Sequence, residues 1–292
     1  MNLDDVRTLK QTLLAQPLEA PADGGAALGV HRTPDGDFRL AVRVQGPRVD
    51  AAQYVQAASG EADVREIGVV RAFERTARVR PLELGVSIAE VDVTAGTLGC
   101  FATADGGARI LSNNHVLADE DRASPGAAVV QPGPVDGGRD PADRVGVLAR
   151  AVALQSDAAN RVDCALATVE VDFDAARVAG LGTLSGALLA PAQAGAVAKL
   201  GRTTGLTRGT VTAFELDGLT VQYDRGALTF DDQVEVHGDA GAFSQGGDSG
   251  SLIVASSSLD AVALLFAGND EGVTYGNPIS AVLDALGATL RT

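Results

Sequence analysis

Sulfur and aromatic rings are scarce in this chain. Two cysteines, Cys100 and Cys164, are too few for a disulfide framework. They read as small buried core residues, and no metal cluster is expected from them. Tryptophan is absent and aromatic residues make up 4% of the chain, so the core has to be built from Val, Leu, Ala and Ile. No uninterrupted run of about 18 apolar residues occurs, and no membrane-spanning helix is expected. The opening Met1-Asn2-Leu3-Asp4-Asp5-Val6-Arg7 lacks a basic stretch followed by an apolar one. No secretory leader is read there, and a cytoplasmic location is expected. Positive charge is also short: 23 Lys and Arg against 38 Asp and Glu give a formal net charge of −15. That field repels a phosphate backbone, so nucleic acid is not an expected partner. The one local basic stretch, Arg71, Arg75, Arg78 and Arg80, reads as a solvated linker; the sharper alternative is a processing site.

What is present points to a folded, β-rich protein. Hydrophobic residues are 46% of the 292, charged residues 21%, and the 35 glycines imply many turns. Residues 1–82 read as a small α+β domain. A helix over 3–15 ends at Gln16-Pro17, and a loop covers 21–25. Strands flank the turn Pro34-Asp35-Gly36, a short helix spans 50–58, and a third strand spans 64–70. Residues 83–292 have a different texture. Strand-like runs recur at 86–92, 97–103, 108–112, 145–149, 162–171, 196–200, 208–214, 219–224, 228–237, 251–256 and 261–267. Gly, Pro, Asp and Asn clusters separate them, the pattern of a β-sandwich or barrels. A loop is expected over 118–143. The spacing of Ile279, Val282, Leu283, Leu286 and Leu290 predicts a terminal amphipathic helix over 278–290.

The strongest chemical signal is Gly246-Gly247-Asp248-Ser249-Gly250-Ser251 ahead of the apolar run Leu252-Ile253-Val254. Glycines beside a serine allow a tight turn and close approach of a ligand. The amides of Gly247 and Ser249 can then converge on one point, where they would stabilise an oxyanion. A serine hydroxyl needs a base within reach. Of the three histidines, His115 lies where the apolar Ile110-Leu111 runs into the polar Ser112-Asn113-Asn114; His31 and His237 read as structural or exposed. Asp163, at the start of the apolar Cys164-Ala165-Leu166-Ala167, is an acid that is costly to bury without a partner. It is the candidate to fix the imidazole tautomer.

The order His115, Asp163, then Gly247-Asp248-Ser249-Gly250, spread over β-rich segments, resembles the trypsin/chymotrypsin superfamily of serine proteases. Ala95 to Cys100, Leu111 to Leu117 and Gly201-Arg202-Thr203-Thr204-Gly205 look closer still to a branch of bacterial, non-secreted trypsin-like proteins related to plant NARROW LEAF 1. The resemblance implies a mainly β fold of two antiparallel β-barrels with the triad between them, beside the small N-terminal α+β domain and the C-terminal helix. It implies peptide-bond hydrolysis through an acyl-enzyme on a protein or peptide substrate, with no cofactor. His115 would be the base, Asp163 its orienter, Ser249 the nucleophile, and Gly247 and Ser249 the oxyanion hole. Phe243 would sit at the base of the P1 pocket, where an acid would favour Arg or Lys, so a small or apolar P1 is expected. Phe266, Ala267 and Gly268 would lie beside the substrate main chain. The resemblance also makes a homo-oligomer plausible, although no residue demands it. Trypsins pair the Asp before the nucleophile with a freshly cut N-terminus; here Asp248 needs another partner or a cut. The competing reading is a catalytically silent protease-fold scaffold. An α/β-hydrolase is disfavoured because its histidine follows the serine in the chain.

Overall fold

The structure, a computed structural model, describes residues 1–15, 26–44, 51–67 and 75–292. The chain divides into two compact units, Met1–Phe73 and Glu74–Thr292. In the first, the helix Leu3–Leu14 starts at Asn2, whose side chain accepts from the Asp5 amide at 2.8 Å. Strands Ala26–Arg32 and Phe38–Val44 pair antiparallel about a turn in which Gly36 has φ 91°. After the short helix Ala52–Ala57, the strand Ala62–Glu66 joins the sheet in parallel. Leu13, Leu40, Val42 and Tyr54 are buried in this unit's own core. The expected third strand thus begins two residues earlier than the pattern suggested. Its residues 68–70 lie outside the described residues, as do the expected helix end at 16–17, the loop at 21–25, and Arg71.

The second unit holds the expected pair of β-structures, and they differ in closure. One is an open antiparallel sheet of eight strands. In spatial order these are Thr289–Arg291, Cys100–Ala104, Gly107–Ser112, Ala165–Thr168, Arg144–Ala151, Ala128–Val130, Ser87–Glu90 and Gly96–Thr97. The other is a closed barrel of Ala196–Gly201, Gly205–Leu216, Gln233–Gly238, Val273–Pro278, Ala261–Gly268 and Leu252–Ala255. The first sheet buries Val86, Ile88, Phe101, Ile110 and Leu166, and the barrel buries Val197, Val234, Phe243 and Ile253. Both faces of the first sheet are covered: Phe101 pairs with Ile110 on one, and Leu166 pairs with Leu111 on the other.

Several boundaries differ from the sequence expectation, each for a local reason. The run 228–237 breaks at Asp231-Asp232, where Asp232 takes φ 63°. It becomes the second strand of a separate hairpin, Leu219–Tyr223 with Gly226–Phe230, followed by a barrel strand. Val273–Pro278 closes the barrel although Gly276, Asn277 and Pro278 read as turn residues. The expected loop 118–143 contains the strand Ala128–Val130. The last helix is Ile279–Leu286, stopped by Gly287 at φ 56° in a left-handed cap. Leu290 consequently lies in the edge strand of the first sheet. The described arginines of the supposed linker are also tied down. Arg75 pairs with Glu83, Arg78 with Asp143, and Arg80 donates to Gln131.

Candidate active site

The strand Gly107–Ser112 carries an apolar run to the edge of the cleft, and a single helical turn, Asn114–Leu117, holds His115 there. Asp163 lies just before the strand Ala165–Thr168, which pairs with Gly107–Ser112. Two buried amides fix its backbone. Asn113 donates to the Asp163 carbonyl at 2.7 Å, and the Asp163 amide donates to Asn277 Oδ1 at 2.9 Å. The carboxylate is fully buried, a cost that its hydrogen bonds offset. Oδ1 accepts from the His115 amide at 3.2 Å, and Oδ2 meets His115 Nδ1 at 2.5 Å and the Tyr223 hydroxyl at 2.7 Å. Burial pulls the His115 imidazole down, but the charge and hydrogen bond of Asp163, with the charge of Glu120, leave it above its usual value. Burial pushes the Asp163 carboxyl up, and the charge and hydrogen bond of His115, with the Tyr223 hydrogen bond, bring it below the ordinary range. With Nδ1 held by a carboxylate, the imidazole has Nε2 left for proton transfer.

Ser249 opens into the same cleft as His115, a cavity of about 570 Å³. The side chain of His115 bonds to Asp163 alone among the described residues, and nucleophile–base bonds often tighten only with substrate in place. The turn around the serine depends on glycine. Gly247 and Gly250 both have φ 93°, and a Cβ on Gly250 would come within 2.1 Å of Ser112 Oγ. In this turn the amides of Asp248, Gly250 and Ser251 donate to the carbonyls of Gln245, Leu265 and Asp248. The amides of Gly247 and Ser249 donate to no acceptor among the described residues. They are therefore free to bind an oxyanion.

Asp248 has an internal partner. Lys199, one of two lysines in the chain, projects from the strand Ala196–Gly201 and meets Asp248 Oδ2 at 3.1 Å, both side chains being fully buried. Burial pulls the Lys199 ammonium below its usual value, against the charge of Asp248. Lys199 also bonds to Thr204 and donates to the Gly205 carbonyl. The segment 201–205 wraps the same carboxylate: Thr203 and Thr204 amides donate to Oδ1 at 2.8 and 3.1 Å, and Thr204 Oγ1 to Oδ2 at 2.6 Å. A Cβ at Gly201 would lie 2.4 Å from Asp248 Oδ1. Thr203 and Thr97 hydroxyls donate to the carbonyls of Gly246 and Gly247, and Arg202 forms a two-pronged pair with Asp136 at 2.6 Å. A segment that the sequence marks only by its family resemblance is therefore the clamp on the serine loop.

Phe243 corrects an expectation. Its ring is fully buried in the barrel core with Val234, Val236 and Ile253, where apolar burial favours it. Ser244 faces the cleft in its place, with its hydroxyl 2.7 Å from that of Thr274. Phe266, Ala267 and Gly268 do line the cleft. His237 is half exposed beside Glu235, away from it. The sequence reading missed Lys199, Thr203, Thr204 and Tyr223. A lysine inside the apolar run Ala196-Val197-Ala198-Lys199-Leu200 was a legible sign of a buried ion pair; Tyr223 carried no comparable sign.

Among curated proteins, none matches this sequence. Solved structures share its fold at low identity. Thermobifida fusca Protease A matches at 19% identity with TM-score 0.50, and a Nocardiopsis protease at 22% with TM-score 0.51. A glutamic acid specific serine protease that uses a histidine triad in substrate binding matches at 21% with TM-score 0.51. Each comparison covers 72% of this chain and 100% of the other. The family described as the Nal1 C-terminal domain matches residues 82–270. This chain, with a trypsin-like fold, belongs to the Nal1 C-terminal domain family.

Proposed function

We propose that this protein is a serine endopeptidase that cleaves peptide bonds through an acyl-enzyme. The observation that carries the reading is a buried carboxylate 2.5 Å from the ring of His115, on a cleft that also holds Ser249 and two undonated amides. Ser249 Oγ attacks the scissile carbonyl carbon while His115 Nε2 takes its proton. The amides of Gly247 and Ser249 stabilise the oxyanion. Collapse breaks the C–N bond, and the leaving amine receives the proton from His115. Water, deprotonated by the same nitrogen, then releases the acyl group and restores Ser249. Asp163 holds the tautomer and stabilises the imidazolium. No cofactor enters these steps. A reducing, cytoplasmic setting and a peptide or protein substrate belong to the same proposal.

The second reading, a silent scaffold, draws on the lack of a hydrogen bond between His115 and Ser249. Labelling with a fluorophosphonate separates the two. The protease reading expects covalent labelling of the full chain that disappears in Ser249→Ala and falls at least about 1000-fold in His115→Ala. Absence of labelling in folded wild type favours the scaffold.

A further inference from the structure

The hairpin Leu219–Tyr223 and Gly226–Phe230 is a two-stranded sheet of its own, outside the six-strand barrel on either side of it in sequence, and its only other bridge is from Phe230 to Asn160 among the described residues. Its hydrogen bonds run instead to loops of the other sheet. At the tip, the amides of Asp224 and Arg225 donate to the two carboxylate oxygens of Glu120 at 3.0 and 3.1 Å, and Arg225 pairs with Asp121 at 2.8 Å. Along the return strand, the Asn160 amide donates to the Thr229 carbonyl at 2.8 Å. The hairpin is thus a strap from one β-structure to the other, passing over Asp163.

Tyr223 is where the strap touches the site. Its hydroxyl donates at 2.7 Å to Oδ2 of Asp163, the same oxygen that holds His115 Nδ1. Its ring meets the imidazole edge-on with centroids 5.9 Å apart. On its other side it stacks on the fully buried Phe230, which in turn packs against Phe266. The phenol therefore cannot swing away without disturbing an aromatic row. A carboxylate oxygen held by two donors has less rotational freedom than one held by the imidazole alone.

We propose that Tyr223 is a positioning residue, which acts on His115 through the Asp163 carboxylate that it holds in place. The proposal rests on the protease reading for its consequence in catalysis, but its effect on His115 can be read without activity. The sign follows from charge. The phenol draws electron density from Oδ2, so removing it leaves a more strongly negative oxygen beside the imidazole, and the imidazolium is stabilised. Other ionisable groups lie around this pair: Glu120 and Asp224 line the same cleft, Cys164 follows Asp163, and Asp121 and Arg225 pair with each other behind the hairpin tip. None of these is altered by Tyr223→Phe, which keeps the ring and its stacking.

The test is NMR titration of His115 in full-length wild type and Tyr223→Phe, with thermal melts to confirm folding, alongside the pH profile of fluorophosphonate labelling. Tyr223→Phe is expected to raise the His115 midpoint by about half a pH unit or more. The acid limb of labelling moves up with it, and the plateau rate falls about tenfold. A role in packing alone leaves Tyr223→Phe at wild type and confines any loss to Tyr223→Ala. An unchanged His115 midpoint in folded Tyr223→Phe overturns the proposal. If the midpoint moves but wild type never labels, the positioning role stands and the protease reading falls.

Discussion

At Lys199 an ammonium group without exposed surface meets an equally buried carboxylate one residue before the proposed nucleophile. Removing one partner of such a pair strands the other in the interior. Lys199→Met is expected to cost about 3–5 kcal/mol in urea unfolding. It is also expected to slow labelling of Ser249 about 100-fold or more, since the amides of Gly247 and Ser249 are then less firmly aimed. Normal labelling of folded Lys199→Met would mean that the turn stands without the ion pair. The same pair makes a cut near Arg80 unnecessary, and labelling of an intact full-length chain is the expected result in mass spectrometry. For His115, raised above the usual histidine value, the base form appears only as pH climbs through that raised midpoint. The acid limb of labelling is therefore expected to centre above about pH 6.5. His115, Asp163 and Ser249 were legible because each sits in a short segment with its own pattern. Lys199 was marked by the apolar run around it, but Tyr223 was harder because nothing in its own hairpin points to Asp163.

At the scale of elements, strands with a run of apolar residues, such as Leu252–Ala255 and Ala261–Gly268, were legible, and those made of turn-type residues were not. Val273–Pro278 is hidden by turn-type residues because Asn277 serves the Asp163 amide rather than the barrel core. The strand Ala128–Val130 is hidden by the Gly-Pro-rich segment around it. Long-range pairing supplies what local pattern lacks. Packing inside the closed barrel gives a sharp test at Gly209. A Cβ there would lie 2.4 Å from the His237 carbonyl oxygen and 2.8 Å from the Phe243 ring. Gly209→Ala is expected to destabilise the protein by about 1–3 kcal/mol in urea unfolding, while Gly218→Ala stands as its control for strain without crowding.

For the whole molecule, acid stability follows from the buried carboxylates. Asp136 and Asp163 are held below the ordinary carboxylate range, Asp136 by Arg202 and Ser87 against its burial. Groups of that kind add stability that is present above their unfolded value and is lost as pH falls through their folded one. Burial pushes Glu90 the other way, so its contribution is complete below the ordinary value and is lost as pH rises through its raised one. Glu61, Asp63, Asp140 and Asp260 are lowered as well, so with only Glu90 raised among the described carboxyls, urea midpoints are expected to drop as pH is lowered from about 4 toward 2. A flat profile over that interval would show that these pairs contribute nothing net.

The strand Thr289–Arg291 completes the edge of the sheet that carries His115, after the chain has passed through the whole barrel that carries Ser249. Synthesis runs in that same direction. While the ribosome is still building the barrel, the sheet of the proposed base lacks its outermost strand, and it gains it only after the serine is already made. The order of manufacture thus couples completion of the base's sheet to the arrival of the nucleophile. A half-made chain has yet to finish the sheet behind His115.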